Sequence, residues 1–439
     1  MRLIQNKSIR DERLKTIFFF MVGMLFVCLG FAMNSPGEIL SGSKTILFSP
    51  ANLLTDYIAL ANPGAALFNV GMMTLKSLAM IKLSKVNISG ALAAGIFTVA
   101  GFSFFGKNLL NSLPIILGVY LFARANGRPV GEYMRQALFG TALGPLVSEI
   151  AFNLGLPFWP GILMGVLAGV FVGFVMSPLS QHFVNFHKGF NLYNIGFTAG
   201  IIGMFFLAVL RSMGIEVRAM HIVSSGNNSI FASALFALFG VMLVLGIVFE
   251  KGRLKSLAVL FRQSGLSGQD FLQEFGFGAA LINMALLGMI STAYVLAVGA
   301  ELSGPALGGI FTVVGFGAAG KHVKNVLPII FGVFLAKMVN IFDAHSPAAV
   351  LAALFGSTLA PIAGYYGPLS GVIAGFLHMA LSMNIGYLHG GMNLYNNGFS
   401  GGFIAAALVP VLEFIRERVA LRKARANDTA ENAMDMENL

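Results

Sequence analysis

Two stretches of the chain carry the same sparse set of chemically useful residues. Gly95-Ile96-Phe97-Thr98-Val99 leads into Gly101-Phe102, then Gly106-Lys107, Asn111 and Leu113-Pro114-Ile115-Ile116. The order returns as Gly309-Ile310-Phe311-Thr312-Val313, Gly315-Phe316, Gly320-Lys321, Asn325 and Leu327-Pro328-Ile329-Ile330. A glycine-rich break before a new helix leaves backbone N–H groups free at the helix start, which suits an anion or a polar solute. Thr98, Gly101, Lys107 and Asn111, with Thr312, Gly315, Lys321 and Asn325, are therefore candidates for solute contact. They read as a mirrored pair of gates or anion-attracting vestibules, because polar groups in so apolar a setting are costly to keep. The competing reading is structural: lysines snorkelling to an interface and asparagines capping turns.

A second constellation, His-x-Gly-x-Asn-Leu-Tyr-Asn-x-Gly-Phe, occupies residues 187–197 and recurs at 389–399. Asn191 and Asn194 are three residues apart, as are Asn393 and Asn396, and each pair shares a face if helical. Carboxamides offer donors and acceptors without charge, so these four could replace part of a solute's hydration shell. The alternative is hydrogen-bonding glue between helices, with Tyr193 and Tyr395 as interfacial anchors. Glu149, Lys76 and His378 are candidates for coupling to protons or ions, since Asp, Glu and His form the usual relays. None of the three has a counterpart in the other copy, and each also has a packing explanation. Only Glu149 among the 18 acidic residues falls well inside an apolar run, so a dense acidic cation site is not expected. No His-Glu-x-x-His, Gly-x-Ser-x-Gly, phosphate-loop or Cys/His cluster occurs. The expectation is a protein that is not an enzyme, with no catalytic residue, metal or cofactor.

The elements that must position these residues are membrane helices. Of 439 residues, 56% are hydrophobic and 10% charged, against roughly 25% charged in an ordinary soluble chain. Mean hydropathy is +0.81. Such a chain cannot cover a water-facing surface, and its 53 glycines and 41 phenylalanines fit helices packed closely in lipid. Cys28 is the only cysteine, which excludes an intramolecular disulfide and Cys-based metal sites. The net charge of +10 gathers at the ends and in a few loops. It reads as a topology signal, not a nucleic-acid footprint. The expected partners are the bilayer and a small polar or anionic solute, with no nucleic acid and with homo-oligomerisation open. The first apolar run lacks a signal-peptide cleavage site.

Apolar runs fall near 16–33, 64–83, 89–105, 110–123, 137–153, 160–180, 192–212, 229–249, 276–298, 303–318, 326–339, 348–364, 367–387 and 393–412. They give an all-α expectation of about fourteen membrane segments. The pairs 89–105/110–123 and 303–318/326–339 are short enough to be broken or re-entrant helices. A gapless alignment of 89–121 with 303–335 is identical at nineteen of 33 positions, far beyond shared apolar bias. The duplication extends to Gly64 and Asn69 with Gly278 and Asn283, to 137–140 with 353–356, and to the His-to-Phe block. Even 16–33 aligns with the eighth run. The expected organisation is a cytoplasmic N-terminus (1–15), two repeats (16–213 and 214–412) and a cytoplasmic tail (413–439), disordered from Asn427 on. About seven segments per repeat is an odd number, so the copies enter the membrane from opposite sides, as inverted repeats with their site at the shared interface.

Lys and Arg set the orientation. Placing Arg2, Lys7, Arg10, Arg13 and Lys15 in the cytoplasm also places Arg124, Arg128 and Arg135 there. Lys251, Arg253, Lys255 and Arg262 follow, with the basic cluster at 416–425. Lys107, Arg211 and Arg218 are the exceptions, expected outside.

The repeated Gly-Lys-x-x-x-Asn-x-Leu-Pro-Ile-Ile and Asn-Leu-Tyr-Asn-x-Gly-Phe blocks resemble an uncharacterised bacterial family of twice-repeated membrane proteins, a domain of unknown function. The resemblance covers nearly the whole chain and implies a multi-pass protein of the bacterial plasma membrane without an established substrate. The layout is also similar to inverted-repeat transporters of the uracil-permease type, whose third and tenth segments are broken at the substrate site. That similarity is one of architecture, not of motif. The leading expectation is a transporter or facilitator for a small polar or anionic solute. The alternatives are a passive pore of the urea-channel kind and a membrane-embedded enzyme or scaffold.

Overall fold

The computed structural model describes residues 2–437 apart from 52–53, 218–219, 253, 340–342 and 344, with side chains described between residues 11 and 424. Among the topology charges, Arg218 and Arg253 and the side chains of Arg2, Lys7, Arg10 and Arg425 lie outside the described residues. The first half contributes α1 (Arg2–Met33), α2 (Pro36–Phe48), α3 (Pro63–Leu83), α4 (Gly90–Phe102), α5 (Leu109–Ala125), α6 (Met134–Phe139), α7 (Gly144–Phe152), α8 (Phe158–Phe183) and α9 (Asn194–Ser212). The second contributes α10 (Asn228–Phe249), α11 (Phe277–Ala297), α12 (Gly304–Phe316), α13 (Val323–Val339), α14 (Pro347–Gly356), α15 (Ala360–Tyr366), α16 (Pro368–Asn384) and α17 (Asn396–Glu437). Among the described residues, short helical turns, a two-residue parallel pairing of Leu54–Thr55 with His221–Ile222 and an antiparallel bridge of Asp56 with Phe105 complete the backbone structure.

Eight helical stretches among the described residues are long and apolar enough to cross a membrane, one of them Pro347–Tyr366, which runs through α14, a 3-10 turn and α15. The other apolar runs are shorter. The 13 residues of α4 span about 20 Å, short of a hydrocarbon core of about 30 Å. The run at 137–153 is not one helix either. It unwinds into a 3-10 turn at Gly140–Leu143, between α6 and α7, and its twin unwinds at Ser357–Leu359, between α14 and α15. The freed carbonyls find donors in the other half: Leu192 N–H donates to Thr358 O and Leu394 N–H to Ala142 O, both at 3.1 Å. At the C-terminus, α17 continues to Glu437, where disorder was expected from Asn427. Helix formers such as Ala430, Glu431, Ala433 and Met434 sustain it.

Packing repeats along with the sequence. Gly30 of α1 lies against the Gly64 carbonyl of α3, and Gly246 of α10 against the Gly278 carbonyl of α11. Gly173 of α8 abuts the Ile115 carbonyl of α5, and Gly375 of α16 abuts the Ile329 carbonyl of α13. Each contact puts helix backbone on helix backbone, which only glycine permits. The two halves meet where α4 crosses α12. Phe97 stacks on Phe311 with ring centroids 6.0 Å apart. On one side of that stack Gly101 touches the Gly308 carbonyl, and on the other Gly315 touches Ala94. This pairing order makes the two short helices antiparallel.

Candidate functional site

The break after each short helix is built identically. Gly106 (φ 73°) and Gly320 (φ 105°) turn the chain, a backbone setting that favours glycine. Lys107 and Lys321 follow, and both are fully buried, so neither snorkels. Asn111 donates to the Gly106 carbonyl at 2.9 Å and to Ser148 Oγ at 3.0 Å, and its Oδ1 accepts from Asn108 N–H. Asn325 repeats this, donating to the Gly320 carbonyl and accepting from His322 N–H. Asn69 and Asn283, from the preceding helices, brace the same turns. Asn69 donates to the Ser103 and Lys107 carbonyls, and Asn283 to those of Gly317 and Lys321, at 2.8–2.9 Å.

The His-to-Phe blocks are not helical before Asn194 and Asn396, because Lys188, Gly189, Gly390 and Gly391 all have positive φ. Asn191 therefore does not share a helix face with Asn194. It ties the two halves together instead: Nδ2 donates to the Gly398 carbonyl at 2.9 Å, and Oδ1 accepts from Tyr193 N–H and Thr358 Oγ1. Asn393 accepts from Tyr395 N–H. Thr312 donates to the Gly308 carbonyl, while Thr98 takes the Tyr395 hydroxyl at 3.2 Å. Gly101 and Gly315 serve the helix crossing. Lys76 donates to Ser112 Oγ at 2.9 Å, Glu149 is buried and accepts from Asn153, and His378 bonds Asn397 through Nε2 at 3.0 Å. The three bonds run to different partners.

Between the halves lies a cavity of about 420 Å³. Its floor is the Tyr193–Tyr395 pair, with ring centroids 4.9 Å apart, flanked by Phe139 and Phe316. Its walls carry Gln136, Gln181, Gln269, Ser180 and Asn194, and exposed Arg135 stands at its rim. Asn194, from the set singled out in the sequence, lines it. Its Nδ2 donates to the Ser180 carbonyl at 2.7 Å and its Oδ1 meets His187 Nε2. Behind the floor, Lys321 Nζ bonds Tyr193 Oη and Ser357 Oγ and lies 4.4 Å from the Tyr193 ring centre.

Two carboxylates missed in the sequence frame the site. Asp270 lines the cavity and accepts from Gly90 N–H at 2.9 Å, holding the start of α4. Asp56, 214 residues earlier, accepts from Gly304 N–H at 2.9 Å, holding the start of α12. Each half thus caps the short helix of the other. The two ends differ in exposure. Asp56 is fully buried, closed over by Ser224 N–H and Oγ, and Ser303 beside it is 2% exposed. Asp270 and Ser89, their twins, are half-buried at the cavity. Arg135 and Gln136 align with Leu351 and Ala352, and both of these are buried. The only available signal was the position of the two acids at equal places in the repeat. Reading acids as loop residues hid it.

An all-helical fold, eight apolar helical stretches long enough to cross a bilayer and packing that recurs between halves define a duplicated multi-pass membrane protein. The chain belongs to the family described as Protein of unknown function (DUF1576), whose pattern matches twice, over residues 35–212 and 249–414. No curated protein and no solved structure matches it.

Proposed function

We propose that this protein is a membrane transporter for a small polar or anionic solute, bound in the cavity between two inverted repeats. The observation that carries the proposal is the cavity's one-sidedness. It descends from polar Arg135, Gln136 and Asn194 to the Tyr193–Tyr395 floor, while the equivalent positions of the other half are packed shut around Asp56. A site open on one face and sealed on its pseudo-symmetric face is what alternating access requires. The antiparallel crossing of α4 and α12 supports an internal two-fold perpendicular to those helices, in the membrane plane if the helices stand upright. The short helices then pair with their neighbours as broken segments, giving seven per repeat. The Lys/Arg rule sets the rim with Arg135, and both termini, in the cytoplasm of a bacterial plasma membrane. Arg135 and the surrounding carboxamides supply donors for an anion or a polar solute. Asp270 Oδ1 accepts from the Gly90 and Gln273 N–H groups, so this carboxylate serves the backbone with one oxygen and stands alone against the donors around it. A passive pore is the weaker reading, because Tyr193, Tyr395, Phe102 and Phe316 fill the floor.

The test is a panel of small anions and neutral polar solutes screened by thermal shift in detergent, followed by proteoliposome flux with each hit. Saturable flux that Asn194→Ala and Arg135→Ala weaken supports the proposal. Flux that rises linearly with solute and ignores both substitutions favours a pore. No flux from any stabilising solute removes the transport reading.

A further inference from the structure

The two halves use the same residues at the floor but do not use them in the same way. Lys321, from the second half, reaches Tyr193 Oη and Ser357 Oγ. Its twin Lys107 is equally buried, yet its Nζ has no hydrogen-bond partner among the described residues, and the Phe102 ring centre lies 5.1 Å from it. The residues that would mirror the Lys321 partners are Tyr395 and Thr141. Both are present, but Tyr395 is turned elsewhere and donates to Thr98 Oγ1. Thr141 donates to the Leu138 carbonyl just as Ser357 donates to the Leu354 carbonyl, so its oxygen is already placed to accept. Thr312, the twin of Thr98, correspondingly lacks a tyrosine and donates to its own helix. A buried amine without a partner is costly, so this half holds an unmade contact whose components are all in place.

We propose that Lys107 and Lys321 alternate: when the cavity opens as it does here, Lys321 is bound to Tyr193, and when the opposite face opens, Lys107 binds Tyr395 while Lys321 lets go. The mirrored state is built from Tyr395–Lys107 and Tyr193–Thr312 in place of Tyr193–Lys321 and Tyr395–Thr98. The two tyrosines cannot move independently. Their rings touch, Tyr395 Cβ packs on Gly196, and Tyr193 Cβ packs on Gly398, so a shift of one tyrosine carries the start of the helix bearing the other. An exchange of this kind joins two discrete arrangements of nearly equal make-up, as a two-state switch requires. The inference rests on the alternating-access reading, but its test needs no solute.

Ser89 and Ser303 are twins at the open and sealed ends, and cysteine is close to serine in size. In a Cys28→Ser background, Ser89→Cys should react quickly with a charged, water-soluble thiol reagent and Ser303→Cys slowly. Adding Lys321→Met, which removes the bonds to Tyr193 Oη and Ser357 Oγ, should raise the 303-to-89 labelling ratio about tenfold or more. Tyr193→Phe, which keeps the ring and its packing, should move the ratio the same way. Lys107→Met should leave it unchanged or lower it. The exchange is overturned if Lys321→Met and Tyr193→Phe both leave the ratio unmoved, or if Lys107→Met raises it equally. If Lys321→Met does not fold, as judged by size-exclusion elution, Tyr193→Phe alone decides. A moving ratio with no flux from any solute keeps the exchange and discards transport, whereas flux with a fixed ratio discards the exchange alone.

Discussion

Asn191 and Arg135 stand for two ways a polar residue serves this protein. Asn191 is fully buried and spends its carboxamide on three groups, two of them in the other half. Arg135 is exposed at the cavity rim. Asn191→Ala should cost about 1–3 kcal/mol of stability, seen as a lowered melting temperature. Arg135→Ala should leave melting unchanged and weaken an anionic solute instead. A lowered melting temperature for Arg135→Ala with unchanged solute affinity would move that residue out of the site. His322 adds a pH dependence. It stands in the turn between α12 and α13, outside the membrane-crossing helices. Its Nε2 meets the Gln263 carbonyl at 2.9 Å, and its Nδ1 accepts from Asn325 N–H. Burial, aided by nearby Lys324, pushes its pKa down from 6.5 to about 4. A proton on Nδ1 would face a donor. The unfolded chain therefore binds the proton first, and stability present above pH 6.5 is lost as pH falls toward 4. The twin of His322 is Asn108, whose Oδ1 accepts from Asn111 N–H without titrating. His322→Asn should flatten the melting profile between pH 6.5 and 4, and an unchanged profile would assign the acid sensitivity elsewhere.

Among the elements, the glycine contacts carry the sharpest expectation. Gly173→Ala and Gly375→Ala each push a methyl into a neighbouring helix carbonyl, and neither backbone can give way without moving a whole helix. Each should cost at least the upper part of the about 1–3 kcal/mol of an overpacked core. Gly240→Ala in α10, with open space around it, should be neutral or mildly stabilising. Thermal melts of the three variants in one detergent decide it, and equal melting temperatures would refute the packing argument. The repeat and the short α4 and α12 were legible in the sequence, because identical glycines at a fixed offset cannot be an accident of apolar composition. The unwinding at Thr141 and Ser357 was not, because its carbonyls are satisfied by Leu394 and Leu192 from the other half, which no local pattern encodes. The same cause hid Asn191. Its spacing from Asn194 suits a helix, yet positive φ at Lys188 and Gly189 and contacts to Thr358 and Gly398 hold it in a loop. The Tyr193–Tyr395 floor lay in a motif visible from the start, but its role depends on which residues meet there.

For the whole molecule, the inverted-repeat proposal makes a directional claim. Lys107 and Lys321 are too buried to report sidedness, but the loops after α5 and α13 carry exposed Arg128 and Asp343 at equivalent places. In a Cys28→Ser background, Arg128→Cys should react from the cytoplasmic side and Asp343→Cys from the other. Reaction of both from one side would make the repeats parallel and remove the two-fold axis from the membrane plane.

The exchanged carboxylates also bear on how the chain is made. Asp56 closes on Gly304, 248 residues further along. At about 5–20 residues per second, the ribosome takes roughly 10–50 s to supply that partner. Through that interval the first half sits in the bilayer with an acid awaiting its amides, while Gly90 awaits Asp270. Neither half is finished until most of the other has been threaded in. The interval is when the nascent chain is open to capture by insertion factors or proteases, and Asp56→Ala should shorten the life of the newly made protein more than that of the mature one. Pulse-chase decay measured from the two starting points would tell them apart, and equal decay would place the need for Asp56 in the finished fold alone.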